Sequence, residues 1–217
     1  MSTGKNDGTA GFTSLRQGTT DARAVESYYD DWAETYDATL SDWQYHAPEY
    51  VCEVLRPHLG DGSRILDVGC GTGLLGETIS GQGEMVIDGL DISGKSLELA
   101  ERRGCYARLV QHDLANLPLP VGADAYDAAA SVGVLTYIED SGALLRDLCR
   151  CVRAGGVISF TQRTDLWEER AFSSLIADIE RDGLWTLDHV SEPQNYLPGN
   201  DDFGDEIGVI VTTCLVR

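Results

Sequence analysis

Lysine is almost missing from this chain. Lys5 and Lys95 are the only two among 217 residues, and 16 Lys and Arg face 36 Asp and Glu, a formal net charge of −20. Nucleic-acid binding is driven largely by cations that neutralise phosphates, and anionic membrane surfaces select the same residues, so neither is an expected partner. An Asp-rich, Lys-poor surface fits a high-salt cytoplasm, where screening relieves self-repulsion, and fits ordinary solubilising acidity equally well. Long apolar runs are missing too: none approaches the ~20 residues of a membrane span. The opening MSTGKNDGTAG has neither the basic nor the apolar block of a signal peptide. A soluble cytoplasmic protein, monomer or homodimer, is the expectation. No Cys-x-x-Cys occurs, and Cys52, Cys70, Cys105, Cys149, Cys151 and Cys214 read as buried free thiols in apolar or Gly-rich surroundings. His46, His58, His112 and His189 share no ligand spacing, so no metal site is expected.

What is present is enough apolar sequence for one domain with a full core. Residues 1–20, rich in Gly, Ser, Thr and Asn, read as a disordered tail. Residues 21–60 read as an N-terminal helical lid and 61–217 as the domain proper. Asp21 can cap a helix carrying Val25, Tyr28, Tyr29 and Trp32, and a second apolar stretch runs from Tyr45 to Leu55. From Ser63 short apolar runs alternate with helical patterns: strands at Arg64–Val68, Met85–Asp91, Ala107–Gln111, Tyr126–Ser131 and Val157–Phe160, the last after a Gly155-Gly156 turn. Helices fall at Leu74–Ser80, after Ser93 as far as Gly104, at Ala143–Val152 and at Leu166–Arg181. Five such units predict an α/β fold with a doubly wound, Rossmann-like parallel sheet. Trp185–Val190 and Ile207–Val216 have no helix between them and predict a closing antiparallel hairpin.

The chemistry concentrates in Ile65-Leu66-Asp67-Val68-Gly69-Cys70-Gly71-Thr72-Gly73. Glycines after a strand let the backbone turn sharply and approach a ligand, while the next helix presents free N–H groups to it. Gly71, Gly73 and Gly76 also satisfy G-x-G-x-x-G, so a nicotinamide dinucleotide is a rival ligand. Asp91 ends the second strand about twenty residues on, where a carboxylate can hold both ribose hydroxyls of either ligand. Three features choose between them. Asp67 inside the first strand would repel a pyrophosphate but suits an ammonium-bearing sulfonium. Asp113 and Leu114 after the third strand can accept from and donate to an adenine. With the chain ending after the hairpin, no separate substrate domain is expected.

With Asp88-Gly89-Leu90-Asp91-Ile92-Ser93 and the Arg153-Ala154-Gly155-Gly156 turn, these segments resemble the class I S-adenosylmethionine-dependent methyltransferases over residues 25–217. A narrower likeness, carried by Tyr29-Asp30-Asp31-Trp32-Ala33…Tyr36-Asp37, Arg102-Arg103-Gly104-Cys105-Tyr106 and Thr161-Gln162-Arg163-Thr164, is to the methyltransferase-like group of the Williams–Beuren syndrome chromosomal region and its microbial relatives. The resemblance implies a seven-stranded sheet and S-adenosylmethionine as cofactor, with S-adenosylhomocysteine as product. It implies that Gly69, Cys70, Gly71, Thr72 and Gly73 line the methionine portion with Asp67 near its ammonium through water or backbone. Asp91 and Ile92 would hold the ribose, Asp113 and Leu114 the adenine, and the backbone around Ser131 the far wall, with Tyr29, Trp32 and Tyr36 as an aromatic lid. The acceptor, a small molecule, would lie beyond strands four and five near Trp43, Tyr45, Tyr137, Arg163 and Trp167. No residue stands out as a base, Tyr137 and His46 being the candidates, because Gly133-Val134-Leu135-Thr136-Tyr137 stands where many relatives carry a histidine. A protein that binds the cofactor without transferring its methyl, acting through a partner, is the alternative.

Overall fold

The computed structural model describes residues 15–203 and 206–217. Asp21 caps α1 (Ala22–Asp42), its carboxylate accepting the N–H groups of Arg23 and Ala24 at 3.0 and 3.1 Å. Then follow α2 (Ala47–Leu55), a 3₁₀ turn (Arg56–His58), β1 (Arg64–Val68), α3 (Leu74–Ser80), β2 (Val86–Asp91), α4 (Gly94–Arg103), β3 (Tyr106–Gln111) and β4 (Tyr126–Ser131). A second 3₁₀ turn (Leu135–Tyr137) leads to α5 (Ser141–Cys151), β5 (Val152–Arg163), α6 (Thr164–Glu169), α7 (Phe172–Arg181), β6 (Trp185–Val190), the two-residue β7 (Gln194–Asn195) and β8 (Gly208–Val216).

The sheet order is β3-β2-β1-β4-β5-β8-β6, with β7 beside β8. β1 to β5 are parallel, and β8 runs antiparallel to both β5 and β6, so the seven expected strands are present and the hairpin closes by inserting β8 between β5 and β6. The pleat of β1 sends Ile65 into one core layer with Val51, Leu55, Leu75 and Ile79, and Leu66 into the other with Leu144, Leu148, Phe160 and Trp185. Helices therefore cover both faces.

Three expectations change in detail. The predicted helix Leu166–Arg181 breaks at Ala171, which is left-handed at φ +50°, because Trp167 and Phe172 stack 5.7 Å apart in the core and one straight helix would point them apart. The Gly155-Gly156 turn is a bulged start to β5, with Gly155 at φ +77° and the β4 register shifting beside it. The 21–60 segment divides: α2 joins the core layer through Val51 and Leu55, leaving α1 alone over the C-terminal strand ends. Of the expected tail, residues 1–14 lie outside the described residues, and the carbonyls of Leu15 and Arg16 accept hydrogen bonds from Arg163 at 2.9 Å each. Five of the six cysteines are buried and all six are free thiols. No described helix is long and apolar enough to cross a membrane.

Candidate functional site

The C-terminal ends of β1 to β4 open into a cavity of about 400 Å³. Its floor is the turn after β1. Gly69, at φ +78°, passes so close to Val134 that a Cβ would lie 2.2 Å from its Cγ2. Gly71, at φ +52°, is the reverse: a Cβ would meet nothing within 4 Å, so the loop leaves open space above it. Asp91 holds this loop in shape, accepting the N–H of Gly71 at 2.7 Å and that of Ser93 at 2.9 Å. Burial raises its pKa, and those N–H groups oppose the rise. At one end of the cavity Asp113 accepts the N–H of Ala115 at 2.9 Å and the side-chain amide of Asn116 at 3.2 Å, next to Leu114. At the other stand Val132, Gly133 and the phenols of Tyr29, Tyr36 and Tyr137.

Helix α1 is fastened over the cavity at both ends. The Tyr29 hydroxyl donates to that of Tyr137 at 2.9 Å, and Asp30 accepts from the Ser93 hydroxyl at 2.6 Å. Further along, Asp37 accepts from Thr72 at 2.5 Å and pairs with Arg103, which also pairs with Glu77 and donates to the Thr72 carbonyl at 2.6 Å. One guanidinium thus ties the helix to the glycine loop and to α3. Asp37 is half exposed, so its ion pair is worth only about 1 kcal/mol. Asp37→Ala is accordingly expected to speed amide exchange across the second half of α1 roughly fivefold while exchange in the core strands is unchanged.

Residues 65–156 match a family model described as a methyltransferase domain. The chain is 31% identical over 164 residues to methyltransferase-like protein 27 of Homo sapiens, covering 73% of this chain and 66% of that one. It is 32% identical over 143 residues to the malonyl-[acyl-carrier protein] O-methyltransferase of Serratia marcescens, covering 66% and 54%. The chain belongs to the class I S-adenosylmethionine-dependent methyltransferases. Among solved structures, the S-adenosylmethionine-dependent methyltransferase from Mesorhizobium loti superposes with a TM-score of 0.60 at 21% identity, over 77% of this chain and 99% of that one. The [4+2]-cyclase SpnF superposes at 0.71 and 16% identity, over 90% and 97%, which is a likeness of fold. The chain spans at most about two thirds of the length of these curated relatives.

The residues present fit the cofactor of this family: an open backbone cradle at Gly71, a buried carboxylate at Asp91 and a loop carboxylate at Asp113 line one cavity. Of the residues singled out from the sequence, Tyr29, Tyr36, Gly69, Gly71, Thr72, Asp91, Ile92, Asp113, Leu114 and Tyr137 line it. Other candidates sit elsewhere. Trp32 packs behind the wall among Tyr28, Tyr36 and Trp43. Ser131 is buried within the sheet, and the wall is made by the three residues after it. Gly73 caps α3, and Cys70 faces a smaller cavity beneath the loop with Asp67 and Tyr45. Trp167 is a core residue bonded to Ser173 at 3.0 Å, drawn inward by its apolar ring. Arg163 pairs with Asp165 and with the Leu15 and Arg16 carbonyls, so its donors are already engaged. His46 stands exposed beside Glu49, away from the cavity lining.

Asp67 is the member whose environment sequence reasoning missed. It is buried, and the Tyr106 hydroxyl donates to it at 2.7 Å. Burial pushes its pKa up to about 7, against the lowering by that hydrogen bond. The folded protein therefore keeps a proton through pH 4–7 that the unfolded chain has released, and this site's contribution to stability declines as pH rises through 7. Tyr106→Phe removes the donor that favours the ionised form. It should cost about 1.5–3 kcal/mol at pH 8.5, where Asp67 is charged, and about 1 kcal/mol or less at pH 5.5, where it is protonated. Urea unfolding at the two pH values measures the difference, and equal losses would remove the assignment.

Proposed function

We propose that the protein transfers the methyl group of S-adenosylmethionine to a small-molecule acceptor, as a cytoplasmic monomer or homodimer. The observation that carries this is one cavity joining the glycine loop, Asp91 and the Asp113–Leu114 turn to a wall of phenols closed over by α1. When bound, the cofactor supplies a methyl group already activated on a sulfonium. The chain's own part is then to place the acceptor in line and to exclude water. Asp91 would hold the ribose hydroxyls, Asp113 and the Leu114 amide the adenine, and the Gly69–Gly71 backbone the methionine portion. Asp67 lies beneath that loop and would act on the ligand through water or the loop backbone. The Tyr29 and Tyr36 rings give electron-rich faces to a cationic centre. The names of the curated relatives, O-methyltransferases among them, support group transfer.

The second reading is a protein that binds the cofactor without transferring its methyl. SpnF shares this fold at 16% identity and is named a cyclase, so the fold alone does not fix methyl transfer. The test is formation of S-adenosylhomocysteine from S-adenosylmethionine in the presence of acceptor pools, wild type against Asp91→Ala. Turnover lost in the variant supports the first reading; tight binding without turnover in any pool supports the second.

A further inference from the structure

We infer that Arg163 is a positioning residue: it latches a strap, residues 15–20, beside the cofactor cavity, and this latch sets how fast ligand enters and leaves. The inference rests on the cofactor binding of the methyl-transfer reading above. The guanidinium stands at the end of β5, only 4% exposed, and does not itself line the cavity. It grips Asp165 through Nε at 3.0 Å and through one Nη at 2.5 Å. Its two Nη groups also reach the carbonyls of Leu15 and Arg16, at 2.9 Å each. From there the strap runs to α1. Leu15 packs on the apolar cluster of Leu40, Leu197, Phe203 and Ile207. Gly18, at φ +62°, lies so near Thr136 that a Cβ would stand 3.1 Å from its Cγ2. Thr20 then lines the cavity together with Ala22, Val25, Glu139 and Asp140. With the same Glu139 and Asp140 it also lines a second cavity of about 350 Å³, so the strap ends at a partition between the two.

Two features suit this contact to a latch. The first is that the ion pair does not need the strap. Asp165 follows Arg163 by two residues, and their bidentate pair survives when the strap leaves. What changes is that two backbone carbonyls are exchanged for water, a modest and reversible loss. The second is that α1 has fastenings of its own further along, from Tyr29 to Tyr137, from Asp30 to Ser93 and from Asp37 to Thr72. The strap can therefore lift while the helix stays seated. Because Arg163 touches the strap and not the cavity, it holds the closed form equally with the cavity empty or filled. Such a gate slows entry and exit alike and cancels from the affinity.

The experiment times the release of radiolabelled S-adenosylhomocysteine under a chase of unlabelled compound and measures Kd by calorimetry; the association rate follows from the two. Arg163→Met keeps the apolar stem and removes the donors. It is expected to speed release and association about tenfold each and to leave Kd within about threefold. Arg163→Lys, a point charge without the planar fork, should fall between it and wild type. Leu15→Asp unseats the strap from its apolar cluster and should match Arg163→Met, and the double variant should release no faster than either single one. Leu15→Asp lies outside the sheet and decides the matter alone if Arg163→Met does not fold. Unchanged release, faster release with Kd weakened in proportion, or accelerations that multiply in the double variant overturn the latch and leave the cofactor reading standing. No S-adenosylhomocysteine binding by the wild type removes both.

Discussion

Replacing Asp91 by Ala is expected to weaken S-adenosylhomocysteine binding by roughly 30- to 150-fold, the equivalent of about 2–3 kcal/mol. Two losses combine. The carboxylate that would accept the ribose hydroxyls is gone, and the N–H of Gly71 loses the acceptor that shapes the loop at 2.7 Å. Asp91→Asn keeps one carbonyl oxygen for that N–H but turns an amide donor toward the other partner, and should fall between alanine and wild type. Calorimetry on the three proteins reads the order directly. An alanine variant that binds as wild type does would place the adenosine end of the cofactor somewhere other than this cavity.

The second large effect is on stability. Gly76→Ala should lower the free energy of unfolding by about 2–4 kcal/mol, although alanine is the better helix former by up to about 1 kcal/mol. A Cβ at Gly76 would lie 2.4 Å from both Cζ and the hydroxyl oxygen of Tyr106. The ring cannot simply swing away, because its hydroxyl is bonded to buried Asp67 and its far side rests near Gly73 and Gly89. Making room therefore breaks the Tyr106–Asp67 bond as well as the packing. In a Tyr106→Phe background the same substitution should cost less, since that bond is already absent and one clashing atom is removed. Urea denaturation of the four proteins closes the cycle, and full additivity would show that the two sites do not touch.

Gly76 also bears on what the sequence could reveal. It completes a G-x-G-x-x-G pattern, which by itself suggests a dinucleotide, yet its small size is required by a tyrosine from β3. The alternation of strands and helices was legible because Ile65 and Leu66, and their counterparts in each strand, are apolar on both faces. The loop after β1 and the carboxylates at 91 and 113 were legible because they lie at strand ends, whose position follows from the periodicity. The break at Ala171 was not legible, since Trp167, Ala171 and Leu175 keep an i, i+4, i+8 spacing straight across it. Arg163 ends β5 and Trp167 follows it, at the expected end of the sheet, but one is neutralised locally and the other turns inward.

The three-way grip of Arg103 has a consequence for inheritance. Arg103, at the end of α4, and its partner Asp37, on the helix over the site, lie 66 positions apart in the chain. A lineage that loses the acid at 37 leaves a guanidinium only 15% exposed with one fewer anion; a lineage that loses the arginine leaves Asp37 and Glu77 facing each other without a cation. Either change alone forfeits about 1 kcal/mol, so among descendants of this chain exchanges at residues 37 and 103 should be correlated.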